Sequence, residues 1–153
     1  MSKTAYDYSL NLLAARAYTT RGLARKLAQK GFEKSEADAT IDRLIANGLL
    51  NDEKFAEEFA RQRLVVAGAS KRRVEQLLAQ KGISREVAQS ASQKVVDEED
   101  VDTIGAMEKI ARKKLASLGD LDLQIKRRRV FGLLARKGYD VDDINQVLSR
   151  ILL

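Results

Sequence analysis

Leu78-Ala79-Gln80-Lys81-Gly82-Ile83 has two near-copies in the chain, Leu27-Ala28-Gln29-Lys30-Gly31-Phe32 before it and Leu134-Ala135-Arg136-Lys137-Gly138-Tyr139 after it. Each copy reads as the last turn of a helix. Leu and Ala favour the helix, Lys suits the negative end of its dipole, and Gly can adopt the left-handed conformation that stops it. The apolar residue after Gly can fold back on the helix end. The likeness extends backwards. Leu23, Val74 and Val130 stand one turn earlier on the same face, and Arg21, Arg72 and Arg128 two residues before them. The Lys-Gly pairs are 51 and 56 residues apart, a period that suits one three-helix unit.

The rest of the chain can be arranged around these three middle helices. In residues 1–50, a helix is expected over 4–17, with Tyr8, Leu12, Leu13 and Ala15 to Ala17 as its apolar side. Thr19 or Thr20 caps the middle helix, 21–30. A third follows over 35–46, with Ile41, Leu44 and Ile45 inward. In residues 51–98, Asn51-Asp52-Glu53 opens a longer helix that ends at Ala67-Gly68-Ala69. Its stripe reads Phe55, Phe59, Gln62, Val66, with Ala56, Ala60 and Arg63 beside it. Ser70 caps the middle helix, 71–81, and Ser84 caps a third carrying Val87, Ala88, Ala91 and Val95.

In residues 99–153, an acidic joint at 97–102 favours a helix start, and a helix over 100–116 carries Ile104, Met107, Ala111 and Leu115. A middle helix is expected over 121–137. Asp140, with Asp143 in a capping-box position, opens the last helix, whose core face is Ile144, Val147, Leu148 and Ile151. No stretch alternates with period two, so no sheet is expected. The fold class is all-α, nine helices in three tandem three-helix repeats. Units of roughly fifty residues have marginal cores, so they should lean on one another.

Composition narrows the function. The 153 residues are 44% hydrophobic and 33% charged, with 5% aromatic and no proline. That is too apolar for a disordered chain and lacks the apolar run of a membrane span. Cysteine and histidine are absent, which removes disulfides, thiolate ligands and the commonest general base and metal ligand. There is no Gly-rich phosphate loop. Glu57-Glu58 and Asp142-Asp143 are adjacent on helices and point to different sides. Ser70 and Ser84 read as caps, with no histidine to activate them. No enzyme, catalytic residue, cofactor or metal site is expected. The N-terminus shows no signal peptide, so a cytoplasmic location is expected.

The net charge is +6, and the bases recur on the middle helices. The first carries Arg21, Arg25, Lys26 and Lys30, the second Lys71, Arg72, Arg73 and Lys81. The third carries Lys126, Arg127, Arg128, Arg129, Arg136 and Lys137. If the units stack with these helices on one side, they form a basic strip that could follow a phosphate backbone or an acidic protein groove. Of these, Arg25, Lys26, Arg72, Arg73, Lys126 and Arg128 are the strongest single candidates. Ordinary solvation is the alternative, and four consecutive bases at 126–129 cannot all face one partner. With Phe131 and Tyr139 expected in core and cap contacts, few aromatics interleave with the bases, which speaks against a stacking platform for single strands.

Several segments resemble the RecX family, regulators of the bacterial RecA recombinase. They are Leu23-Ala24-Arg25-Lys26-Leu27-Ala28-Gln29-Lys30-Gly31-Phe32, the run from Ile41 through Gly48-Leu49-Leu50-Asn51-Asp52-Glu53-Lys54-Phe55-Ala56, Arg72 through Ile83, and Leu133 through Tyr139. The chain departs from the family pattern at Ala69-Ser70, where Gly-Pro is frequent, and at Gly22, where Glu is frequent. The resemblance implies an elongated, curved array that binds the RecA–DNA filament and inhibits its growth, ATP hydrolysis and strand exchange. It would thereby modulate homologous recombination, DNA repair and the SOS response. The expected partners are the RecA filament and possible direct contacts to single- or double-stranded DNA, with no membrane and a monomeric state. The alternative is a sequence-tolerant DNA-binding helical module that does not act through RecA.

Overall fold

The computed structural model describes residues 3–152. The outer limits expected for the first and third repeats, residues 1, 2 and 153, lie outside the described residues. Within them the chain forms nine α-helices and one π-helical segment, with no strand. The first unit contains α1 (Ala5–Ala15), α2 (Thr20–Lys30) and α3 (Lys34–Ala46). The second contains α4 (Asp52–Arg61), continued by the π-helical turn Gln62–Val66, then α5 (Lys71–Gln80) and α6 (Arg85–Glu98). The third contains α7 (Thr103–Ser117), α8 (Leu123–Arg136) and α9 (Val141–Ile151).

Local chemistry sets most of these bounds. Thr19, Asn51, Ser70, Ser84 and Asp102 each accept a bond from the backbone N–H three residues on, satisfying a donor that the first helical turn leaves free. Asp140 does not do this for α9, so the capping box expected there is absent; its main-chain carbonyl takes only the N–H of Ile144. The acidic joint divides its work. Asp102 caps α7, whereas Glu98 and Glu99 reach back to Arg61 at 3.2 and 3.1 Å. All three side chains of these two pairs are solvent-accessible, so each pair contributes at most ~1 kcal/mol.

Each unit has its own apolar core. Leu23, Leu27 and Leu44 are fully buried in the first, Val74, Leu78 and Val95 in the second, and Met107, Val130, Leu134, Ile144 and Leu148 in the third. Burying each Leu is worth roughly 1.5–3 kcal/mol. Several core expectations are corrected. In α1 Tyr8, Leu12 and Leu13 pack against the core as expected, but the fully buried positions are Ala5 and Ser9, and Ala15 to Ala17 are exposed. In α3 Ile45 is 48% exposed, because Ala37, Thr40, Ile41 and Leu44 already occupy the face toward α2. In α4 the buried stripe is Ala56 and Ala60, continued by Leu64. Phe55 and Phe59 are only half-buried, and Val66 is 70% exposed. Small side chains let α4 approach Ala88 and Ala91 of α6 closely, which leaves the two rings at the flank.

The units lean on one another through the ends of their middle helices. The Thr19 hydroxyl, which caps α2, donates to the Lys81 carbonyl at the end of α5 at 3.0 Å. The Ser70 hydroxyl, which caps α5, donates to the Lys137 carbonyl at the end of α8 at 2.9 Å. The start of α2 therefore meets the end of α5, and the start of α5 meets the end of α8. Each contact sets a positive helix end against a negative one. Gly82 and Gly138 make this approach possible. Both have left-handed backbones, with φ of 88° and 92°. A Cβ on Gly82 would stand 2.7 Å from Arg21 Cβ, and one on Gly138 would stand 2.7 Å from Ser70 Oγ.

Candidate functional site

Between the first two units lies a cleft of about 700 Å³, walled by α2, α4 with its π-helical turn, and α5. Its polar lining is one-signed. Arg16, Arg21, Arg25, Lys26, Arg63 and Lys81 border it, and no Asp or Glu does. Low-dielectric walls bearing one sign of charge concentrate the field in the opening, which attracts anions.

The elements explain why these side chains converge. Arg21, Arg25 and Lys26 stand on the side of α2 left uncovered when Leu23 and Leu27 turn into the core. Lys81 follows α5 at the joint with Thr19. Arg16 ends α1 in an extended conformation that carries it away from the helix, and its guanidinium lies 4.5 Å from the centre of the Tyr18 ring. Arg63 follows the onset of the π-helical turn, in which the Ala67 N–H reaches back to the Gln62 carbonyl. Such widened turns recur at functional sites.

Aromatic rings share this cleft with the bases. Phe55 and Phe59, one turn apart on α4, stack with centres 6.1 Å apart and planes 15° from parallel. Arg63 Cζ stands 5.0 Å and Lys81 Nζ 5.6 Å from the Phe59 centre, within range of a cation–π attraction. Tyr18 also borders the opening. The expectation of few aromatics among the bases fails here, because Phe55 and Phe59 pack at the edge of the second core and line the cleft with their other side.

Of the fourteen bases expected to form a strip, the structure brings Arg21, Arg25, Lys26 and Lys81 together in this cleft. Lys30 turns back toward Tyr8 of its own unit, with Nζ 5.4 Å from the ring centre. Lys71 and Arg72 line a different groove of mixed charge with Glu75 and Glu86, and Lys71 donates to Gln93 at 2.6 Å. Arg73 stands at the second joint beside Gly138, where the Lys137 carbonyl also lies. Arg128, Arg129 and Arg136 are exposed, and Lys126 and Arg127 are half-buried. Arg16 and Arg63 were missed in the sequence. Arg63 had a faint signal, a base four residues after an aromatic on one helix; Arg16, in an irregular segment, had none.

The second joint is built differently. The Tyr139 hydroxyl donates to the Gly68 carbonyl across the unit boundary. Burial pushes its phenol above the usual range, because the charged form would lose solvation. Among the described residues no group of three His, Cys, Asp or Glu side chains comes together to hold a metal, and no helix is long and apolar enough to cross a membrane.

The comparisons with known proteins cover all three units. Family models described as the first, second and third three-helix domains of RecX match residues 5–44, 51–91 and 101–148. A protein named "Regulatory protein RecX" from Amycolatopsis mediterranei (strain U-32) is 37% identical over 137 residues, 90% of this chain and 77% of that one. Another of that name from Chlorobium phaeobacteroides (strain BS1) is 33% identical over 153 residues, 97% of this chain and 94% of its own. The crystal structure of RecX from Lactobacillus salivarius superposes with a TM-score of 0.83, covering 96% of this chain and 94% of that one at 21% identity. That last likeness concerns the fold alone.

Proposed function

The chain belongs to the RecX family of regulatory proteins, and from that premise we propose that it binds the RecA–DNA filament and restrains filament extension, ATP hydrolysis and strand exchange. The observation that carries the reading is a family match running through all three units, from residue 5 to residue 148. Bases on the three middle helices provide the attraction to an anionic nucleoprotein, and the units meet end to end, so one molecule can engage several filament sites at once. The protein acts without catalysis or cofactor, as a monomer, in the cytoplasm, and thereby limits recombination and its repair and SOS outputs.

The test is a charge reversal that spares the core. Arg72 is exposed and Arg73 half-buried. Arg72→Glu combined with Arg73→Glu is expected to weaken inhibition of RecA at least tenfold while the circular-dichroism melt stays cooperative. Unchanged inhibition by a folded double variant would remove Arg72 and Arg73 from the mechanism.

A further inference from the structure

The cleft between the first two units combines two features that different ligands would use separately. Six bases with no acid suit any polyanion, whether a phosphodiester chain or an acidic peptide. The half-buried Phe55–Phe59 stack with Tyr18 nearby suits a planar ring, which Asp and Glu side chains lack and a duplex hides. We infer that this cleft is a binding site for single-stranded nucleic acid, in which an unpaired base stacks on Phe59 while its neighbouring phosphates are held by Arg63, Lys81 and the α2 bases.

The geometry supports the division of labour. Phe59 is anchored on its core side by the second unit and bordered on its other side by the cleft. The two cations near its ring are both on exposed, flexible stems, one from the π-helical turn and one from the end of α5. They can turn outward to phosphates as a base enters. Arg21, Arg25 and Lys26 form the opposite bank, contributed by the other unit. The site therefore exists only while the Thr19–Lys81 joint holds the banks together. It stands on the cleft alone and needs no RecA, so its failure and the failure of the RecA reading are separable.

The experiment measures binding of the full chain to a fluorescent thymidine dodecamer, and to an abasic chain of equal length and charge, across a salt series without RecA. The wild-type protein is expected to prefer the base-bearing strand. Phe59→Leu should erase that preference, with a loss of roughly 5- to 100-fold on thymidine and little on the abasic chain. Arg63→Gln with Lys81→Gln, both exposed, should reduce the slope of log affinity against log salt by about 1.4, since each lost phosphate contact on a single strand accounts for about 0.7. Equal wild-type affinity for the two chains, or no binding to either, would overturn the inference whatever the fate of Phe59→Leu. So would an unchanged salt slope in the double variant, or equal displacement of the thymidine strand by polyglutamate, which would mark the cleft as an acidic-protein site.

Discussion

The two joints of this molecule are made by one device and put to different ends. At both, a hydroxyl that caps one middle helix donates to the last carbonyl of the next, beside a glycine with a left-handed backbone. At the joint of the second and third units, the residue after that glycine is Tyr139, whose ring is buried and whose hydroxyl crosses to Gly68. At the joint of the first and second units, the matching residue is Ile83, which packs into its own core and sends nothing across. The flank there stays open, lined by bases and aromatic rings. One joint is closed by a part-buried polar contact, and the other keeps a cleft. The repeated backbone geometry thus builds the array, and a few side chains decide which boundary can hold a ligand.

The glycines offer the largest expected effects. Alanine at either position places a side chain where φ is positive, at a cost of roughly 1–3 kcal/mol. At Gly138 the new Cβ also meets Ser70 Oγ and stands 3.3 Å from the Arg73 backbone nitrogen, whereas at Gly82 it meets only the Arg21 side chain. Gly138→Ala should therefore destabilise more than Gly82→Ala, by about 1 kcal/mol if the Ser70 bond breaks. Urea denaturation measures both, and equal losses would make the joints energetically equivalent.

Tyr139→Phe comes next. It leaves the Gly68 carbonyl without the hydroxyl that serves it, and should cost about 1–2 kcal/mol by urea denaturation. A neutral result would mean that water replaces the hydroxyl and that the second joint is not held shut by it. The smallest effect is the pH dependence of that contact. Burial raises the phenol's folded pKa above its unfolded value near 10. The contact is then fully present below about pH 10 and is lost as pH rises through the higher folded value. The stability gap between wild type and Tyr139→Phe should narrow as pH rises from 9 toward 11. A constant gap would sever the titration from the joint.

The fold was legible because its signals are local. Gly31, Gly82 and Gly138 end helices by backbone conformation, and Thr19, Asn51, Ser70 and Ser84 start them by side-chain bonds to neighbours three residues away. The site was less so. Periodicity marks Phe55 and Phe59 as apolar but cannot distinguish a ring in the core from a ring at its flank; that was decided by Ala56 and Ala60 packing against α6. The second role of Thr19 and Ser70 depends on carbonyls 62 and 67 residues away, which no local pattern specifies. The missing cap at Asp140 shows the opposite error, a local motif without the bond it suggests.

The most direct test of the account is ATP hydrolysis by RecA on single-stranded DNA while this protein is added well below the RecA concentration. A filament-level regulator predicts that the rate falls at substoichiometric amounts, and that the fall persists when free DNA is saturated with RecA. An unchanged rate, with the protein binding free DNA in the same buffer, would contradict action through the filament and leave a DNA-binding helical array.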